Sequence, residues 1–151
     1  MTNLYYEDIS PGFRSSSRGY TLTEAEIIEF GQRWDPQPFH TDPLAAKNSV
    51  FGRLVAPGCY LFSVRSWLVD KLEDRPVFAA GLGLENMKLP NAAGAGDTLT
   101  LSVECTQRRE SASRPDLGLV WMHNVIHNQH GQIVMELTAV MLVHKRKTGK
   151  D

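Results

Sequence analysis

The chain has few cysteines, little net charge and no long apolar run. Each of these absences argues against a particular class of protein. Its two cysteines, Cys59 and Cys105, lack the CxxC spacing of metal and redox sites, and no disulfide is implied. The net charge of −1 gives no electrostatic reason to expect nucleic acid as a partner. No stretch approaches the roughly 18 apolar residues of a membrane span, and no basic segment with a following apolar run marks a signal peptide. We therefore expect a cytoplasmic protein.

The chain is also without repeats, low-complexity segments or a linker long enough to divide domains. Hydrophobic residues make up 42% of the 151 residues and charged residues 22%, which is ordinary for a globular protein. A chain of this size buries about 70% of its unfolded surface, enough for one proper core. We predict a single domain over residues 1–151, in which the basic segment 145–151 is a mobile tail.

Two helices are indicated by spacing and by end signals. Thr23 and Glu26 form a T-x-x-E capping box, and apolar residues then recur at helical spacing, which predicts a helix from about Glu24 to Arg33. A second helix is predicted from Gly58 to Leu72, directly after Pro57, whose missing N–H is harmless at a helix start. This run is apolar on most sides, which is typical of a buried central helix.

Strands dominate the second half of the chain. Alternation places Leu99, Leu101, Val103 and Cys105 on one face of a strand, and Gly131 closes a hairpin signal between the last two strands. The predicted strands are Val77–Lys88, Thr98–Arg108, Leu117–Asn128 and Ile133–Arg146. One long helix followed by antiparallel strands indicates an α+β fold in which the sheet wraps around the helix.

The segment of greatest chemical interest runs from Asp35 to His40. Pro36 and Pro38 fix the backbone between the acid and the imidazole, so we expect a stiff, non-helical loop. Acid–base catalysis needs such groups held within hydrogen-bond reach of a substrate. The simpler interpretation is a turn that contains an incidental surface histidine, since Asp before Pro is common in turns.

The remaining histidines do not suggest a metal site. His123 and His127 lie on one face of a predicted strand but about 13 Å apart at 3.3 Å per residue, and His130 falls in the hairpin turn. We therefore predict no metal and no separate cofactor.

In this segment the chain resembles the MaoC-like hydratases and dehydratases of the hot-dog fold, which include the (R)-specific enoyl-CoA hydratases. Their motif is Asp, any residue, Asn, Pro, an aliphatic residue and His. Asp35, Pro38 and His40 match it, whereas Gln37 replaces the usual Asn and Phe39 the usual Leu or Ile.

Further matches follow along the chain. The family has alanines, a Phe-Gly turn and a glycine at the head of the central helix. The corresponding residues here are Ala45, Ala46, Phe51, Gly52 and Gly58, with Pro57 where a histidine is frequent. Ser66 matches a serine of the well-studied hydratases, and Gly-Asp-Thr-Leu at 96–99 matches a turn before a long strand.

The resemblance implies addition of water to a 2-enoyl thioester, or the reverse reaction, in a homodimer or larger homo-oligomer with coenzyme A as part of the substrate. It implies that Asp35 is the principal base and that His40 orients the water and relays the proton. The Gly58 N–H would stabilise the developing oxyanion, and Ser66 would hydrogen-bond near the acid. Gln37, Phe39 and Pro57 are the candidate substrate-binding residues.

Other interpretations stay open at this point. The same fold can host thioester hydrolysis, or the chain can be a non-catalytic acyl-CoA-binding subunit. Gly58 can be a simple turn residue, and Ser66 can bond back to its own helix. The acyl group, the carrier (coenzyme A or acyl-carrier protein) and the direction of the reaction are not encoded in any residue identified so far.

Overall fold

A computed structural model describes residues 2–148. The helices are α1 (Glu24–Trp34), α2 (Pro38–Thr41), α3 (Pro43–Lys47) and α4 (Gly58–Asp70), with one 3₁₀ turn at Tyr6–Asp8. The short strands are β1 (Thr2–Leu4), β2 (Arg14–Ser16), β3 (Tyr20–Thr21) and β4 (Asp74–Pro76). The long strands are β5 (Phe78–Lys88), β6 (Thr98–Glu110), β7 (Leu117–His127) and β8 (Ile133–His144).

The predicted α+β architecture with an antiparallel sheet is confirmed. The main sheet has the order β2-β6-β7-β8-β5, and β3 also pairs with β6. A separate two-stranded parallel pair joins β1 to β4. The alternation predicted for β6 is correct, because Leu99, Leu101, Val103 and Cys105 are all buried. The Asn128–Gly131 hairpin between β7 and β8 also forms, with Gly131 at a φ of +76°.

Helix α4 is buried along one face, which differs from the prediction that it is apolar and buried on most sides. Leu61, Val64 and Leu68 pack into the core, whereas Ser66 and Trp67 are exposed. The difference arises because the core elements of this chain cover only the sheet side of the helix. The helix also ends at Asp70, two residues before the predicted end.

Helix α1 has the predicted N-cap but not the full capping box. The Thr23 hydroxyl accepts a hydrogen bond from the Glu26 N–H at 3.2 Å. The Glu26 carboxylate instead accepts hydrogen bonds from the hydroxyls of Tyr20 (2.9 Å) and Tyr60 (3.0 Å). Since Tyr60 belongs to α4, this carboxylate ties the first helix to the central one.

The expectation that residues 35–40 contain no helix is wrong for their second half. Pro38 begins the single helical turn α2, which carries His40, and Gln37 is its N-cap. Proline is compatible with the first position of a helix because that position needs no N–H donor and the ring fixes a suitable φ. The two prolines therefore end α1 and start α2 rather than keep the whole segment extended.

Two of the C-terminal basic residues form ion pairs. Lys145 pairs with Glu110, and a guanidinium nitrogen of Arg146 lies 2.6 Å from an Asp8 carboxylate oxygen. The mobility of the segment 145–151 stays a prediction, and its last residues, 149–151, lie outside the described part of the chain. Within residues 2–148, no helix is long and apolar enough to cross a membrane.

Asp97, in the turn before β6, holds the chain that leads to α4. Its carboxylate accepts hydrogen bonds from the Gly94 N–H (2.8 Å), the Gln129 amide (3.2 Å) and Arg53 (3.3 Å). Gly94 in turn forms a bridge with Val55, three residues before the start of α4. Burial alone raises the pKa of Asp97, but these donors outweigh it and hold the pKa below its ordinary value.

Replacing Asp97 by Asn should therefore destabilise the protein in a pH-dependent way. Because the folded-state pKa is lowered, the charged carboxylate stabilises the fold above the unfolded-state pKa of about 3.9, and this contribution is lost as pH falls through the folded-state pKa. We expect Asp97→Asn to lower the free energy of unfolding by about 1–3 kcal/mol at pH 7 and by less near pH 3. Urea unfolding at both pH values measures this. Asp42→Asn is the control, because Asn still caps α3, and a pH-independent loss in Asp97→Asn would contradict the assignment.

Candidate active site

His40 is held in place by a hydrogen bond to the backbone. Its side chain is buried, and Nδ1 lies 2.6 Å from the carbonyl oxygen of Val55. A carbonyl oxygen can only accept, so Nδ1 carries the hydrogen and donates it. In the neutral imidazole, Nε2 is then left with a lone pair, which makes it an acceptor or a base.

That lone pair faces the carboxylate of Asp35. Nε2 of His40 lies 3.4 Å from Oδ2 of Asp35, which is longer than a good direct hydrogen bond. The side chain of Asp35 is 33% exposed and that of His40 is 9% exposed, so the pair borders the surface without being fully solvated. Two acceptors at this separation attract a molecule that can donate one O–H to each, and water is the simplest such molecule.

The backbone around the pair explains how it is positioned. Asp35 caps the C-terminus of α1 with its N–H bonded to the Gly31 carbonyl, and the next helical turn starts only three residues later. The carbonyl of Phe39 accepts a hydrogen bond from the Val55 N–H at 3.0 Å, so two hydrogen bonds join the α2 turn to the segment before α4. The ring of Phe39 packs edge-on against His40 at 4.5 Å and restricts its rotation.

Gly31 permits this arrangement, and sequence reasoning did not identify it. A Cβ at Gly31 would lie 2.9 Å from the His40 carbonyl oxygen and 3.1 Å from the His40 Cβ. Only a residue without a side chain allows α2 to approach α1 this closely. The available signal was a glycine in the interior of a predicted helix, which calls for a packing or functional reason.

Gly58 begins α4, as predicted, and is only partly buried. Within residues 2–148, its N–H has no described hydrogen-bond acceptor, which is expected of the first residue of a helix. A Cβ at this position would lie 2.9 Å from Cδ1 of Leu89. Pro57, the N-cap residue, is buried, and its side chain makes no capping hydrogen bond.

The side chains of two further candidates, Ser66 and Gln37, form no described hydrogen bond with Asp35 or His40. The Ser66 hydroxyl donates to the Phe62 carbonyl at 3.2 Å, one turn earlier in its own helix. Gln37 is exposed, and only its backbone contributes, through the carbonyl that accepts from the His40 N–H at 2.9 Å. The roles predicted for these two side chains stay predictions.

Two of the three histidines that the sequence places in or beside β7 have other partners. His123 lies 2.9 Å from Glu136 on the neighbouring strand, and His130 contacts the Gln129 amide at 3.4 Å in the hairpin.

The antiparallel sheet and central helix form a hot-dog fold, and the acid–imidazole pair is of the kind used for proton transfer. Residues 12–118 match the family model described as "MaoC like domain". The chain belongs to this family, which confirms the resemblance found in the sequence.

Individual relatives agree with this assignment. Protein MaoC of Klebsiella aerogenes is 34% identical over 105 residues, which cover 69% of this chain and 31% of that protein. The chain thus spans about a third of this curated relative. A MaoC-like dehydratase of Rhodospirillum rubrum superposes with a TM-score of 0.87 at 33% identity, covering 95% and 98% of the two chains. An (R)-hydratase of A. caviae has a TM-score of 0.71 at 24% identity, covering 89% and 97%.

Replacing Gly31 by Ala should displace His40 while leaving the fold intact. The added methyl group overlaps the α2 turn, so we expect a loss of about 1–3 kcal/mol in the free energy of unfolding and a changed environment at the imidazole. Urea unfolding measures the first effect, and the Nδ1–H resonance of His40 in proton NMR reports the second.

Gln32→Ala is the control, because Gln32 is exposed on the same helix, next to Gly31. An unaltered His40 resonance in Gly31→Ala would show that the close approach does not position the imidazole.

Proposed function

We propose that the protein is an acyl-thioester hydratase or dehydratase that adds water to a 2-enoyl-CoA or removes it from a 3-hydroxyacyl-CoA. The observation that carries the proposal is the His40 Nε2 lone pair facing the Asp35 carboxylate at 3.4 Å. A water molecule that donates to both acceptors has its oxygen lone pair free to attack the third carbon of the acyl chain.

In the hydration direction, the water oxygen forms a bond to C3 while one water proton passes to the Asp35–His40 pair. The C2–C3 double bond electrons move to C2, and the thioester carbonyl takes up negative charge as an enolate. A proton returned to C2 completes the addition, so that atoms and charges balance. Asp35 is the principal base in this proposal, and His40 orients the water and relays the proton.

The Gly58 N–H is the proposed oxyanion donor. It is the first N–H of α4, where the helix dipole adds positive potential. No backbone acceptor in the described part of the chain competes for it. A well-placed donor of this kind contributes about 3 kcal/mol to transition-state stabilisation. We assign Ser66 a role near the acid, and Phe39 and Pro57 a role in shaping the acyl site beside Gln37.

The relatives support this choice of reaction. The R. rubrum protein at 33% identity is described as a MaoC-like dehydratase, and the A. caviae protein as an (R)-hydratase involved in PHA biosynthesis. Thioester hydrolysis and acyl-CoA binding without turnover are the outcomes against which the proposal is tested. The protein needs no cofactor or metal in this proposal, and its cytoplasmic location stays a prediction.

Hydration should be abolished by changing either member of the pair. Wild-type protein should consume crotonyl-CoA or trans-2-hexenoyl-CoA, measured as loss of enoyl-thioester absorbance. Asp35→Asn and His40→Ala should each reduce kcat by a factor of about 10² to 10⁴, the usual contribution of a general acid or base. Asp42→Asn is the control, because Asp42 is exposed and caps α3.

Three other results would contradict the proposed hydratase reaction. Release of free thiol without loss of the double bond would identify a thioesterase. Saturable binding of acyl-CoA with no turnover by the wild type would identify a binding subunit. Unchanged turnover in both variants would remove the pair from the mechanism.

We also propose that the protein is a homodimer with the thioester bound near the subunit interface. Strand β5 lies at the end of the main sheet, and one edge of it is unpaired within the described chain. Its large apolar side chains are exposed, namely Leu82 (54%), Leu84 (46%) and Met87 (43%). A long edge strand with exposed apolar residues favours pairing with another chain, and a second copy is the simplest partner.

Light scattering should accordingly give the mass of a dimer for the wild type. Leu84→Asp places a charge in the proposed interface and should shift the protein toward the monomer at micromolar concentration. Leu44→Asp is the matched control, because Leu44 is 72% exposed on α3, away from β5. A monomeric wild type, or a dimer unaffected by Leu84→Asp, would contradict this interface.

A further inference from the structure

Arg65 is a buried cation without a carboxylate partner. It lies on α4, is 9% exposed, and its Nε–H donates to Oδ1 of Asn124 at 2.8 Å. Within residues 2–148, none of the ion pairs includes Arg65. Burial lowers the pKa of Arg65 to about 10, as expected when desolvation is not offset by a nearby negative charge.

One hydrogen bond fixes the guanidinium of Arg65 and leaves its two terminal Nη groups, the fork that can grip a carboxylate, unbonded. Asn124 is 1% exposed and donates to the Met122 carbonyl at 2.8 Å, so its orientation is set before it meets Arg65. The hydrogen bond to Asn124 uses Nε and leaves both Nη atoms without a described acceptor. Every fully buried polar side-chain atom in the described residues has a partner, so the Nη atoms must border an opening.

We place that opening on the side of α4 toward β5, from the contacts at the two ends of the helix. At one end, Gly58 touches Leu89, which directly follows β5. At the other end, Ser66 and Val69 share a cleft of 360 Å³ with Phe78, at the start of β5. The start of β5 and the residue after its end therefore lie near opposite ends of α4.

Arg65 shares one stripe of α4 with Gly58 and Val69, which lie at the two ends of this groove. Gly58, Phe62, Arg65 and Val69 are spaced by four, three and four residues, which places them on one face of the helix. The Phe62 ring lies 5.7 Å from the guanidinium carbon of Arg65. Arg65 lies seven residues after Gly58, or about 10.5 Å along the axis, and its side chain leans back toward the helix start.

We propose that Arg65 recognises a carboxylate at the far end of the acyl group, so that the preferred substrates are thioesters of dicarboxylic rather than simple fatty acids. This rests on the proposed function, which places the thioester carbonyl at the Gly58 N–H. A free planar fork binds a carboxylate through two parallel hydrogen bonds, and a low-polarity site strengthens them. The acidic residue at the far end of the groove, Asp70, is already paired with Lys71 and Arg75.

The test compares matched substrates that differ only in the terminal group. Wild-type protein should hydrate trans-2-hexenedioyl-CoA or trans-2-octenedioyl-CoA with a kcat/KM at least about 10-fold above that for the monocarboxylic thioester of equal length, since hydrogen bonds to charged groups of this kind are worth a factor of ten or more. Arg65→Gln should remove this preference, so that kcat/KM for the dicarboxylic thioester falls at least about 10-fold more than kcat/KM for the monocarboxylic thioester of equal length. Arg65→Lys should keep part of the preference, because the charge remains but the fork is lost.

Binding of saturated thioesters separates this inference from the proposed reaction. Calorimetry with adipyl-CoA and hexanoyl-CoA reports the contrast without any turnover, and it needs only the wild type if Arg65→Gln fails to fold. Absence of hydration with tighter binding of adipyl-CoA would overturn the reaction but support the role of Arg65.

Equal binding and equal turnover of both classes would overturn the inference itself. So would an Arg65→Gln variant that loses dimerisation and all substrates alike, because that result would show that the buried guanidinium serves the subunit interface.

Discussion

The hydrogen bond from Nδ1 of His40 to the Val55 carbonyl is the interaction on which the site depends. It fixes the tautomer, and therefore the lone pair on Nε2, and it also joins the α2 turn to the segment that enters α4. Gly31 allows the turn to sit against α1, and Asp97 stabilises the far side of the entering segment. Together these contacts bring the end of one helix and the start of another to the same place.

Helix α4 has two functions in this account. Its sheet-facing side supplies core residues such as Leu61 and Leu68, while on another side Gly58 lies against Leu89 and Val69 lines a cleft with Phe78. A helix that was buried all round would leave no room for an acyl chain. The exposed apolar residues of β5 and the free fork of Arg65 both follow from this incomplete covering.

The elements that the sequence predicted well are those whose signal is local. Alternation located the buried face of β6, Thr23 marked the start of α1, and the proline and glycine pair at 57–58 marked the start of α4. The predictions failed where a residue had two compatible uses. Pro38 was read as excluding a helix although it can also start one. Glu26 was assigned to its own backbone although two tyrosines outside its helix, one of them 34 residues away, compete for it.

The site was predictable only in part for the same reason. The closeness of Asp35 and His40 could be predicted from motif and spacing, and the role of Gly58 stays a prediction. The partner of His40 could not be predicted, because Val55 is fifteen residues away and contributes only its backbone carbonyl. The importance of Gly31 and Arg65 depends on what packs against them. No local pattern distinguishes a glycine beneath a turn, or an arginine that faces an asparagine across the core, from an ordinary helix residue.

Isotope labelling in heavy-oxygen water tests the central claim most directly. Wild-type protein is incubated with crotonyl-CoA in H₂¹⁸O, and the products are analysed by mass spectrometry. Hydration by a water held between Asp35 and His40 predicts an intact thioester with one ¹⁸O in the new hydroxyl group at C3. Label found only in a released carboxylic acid, with no labelled hydroxyacyl thioester, would contradict the account and show that the water attacks the carbonyl carbon instead.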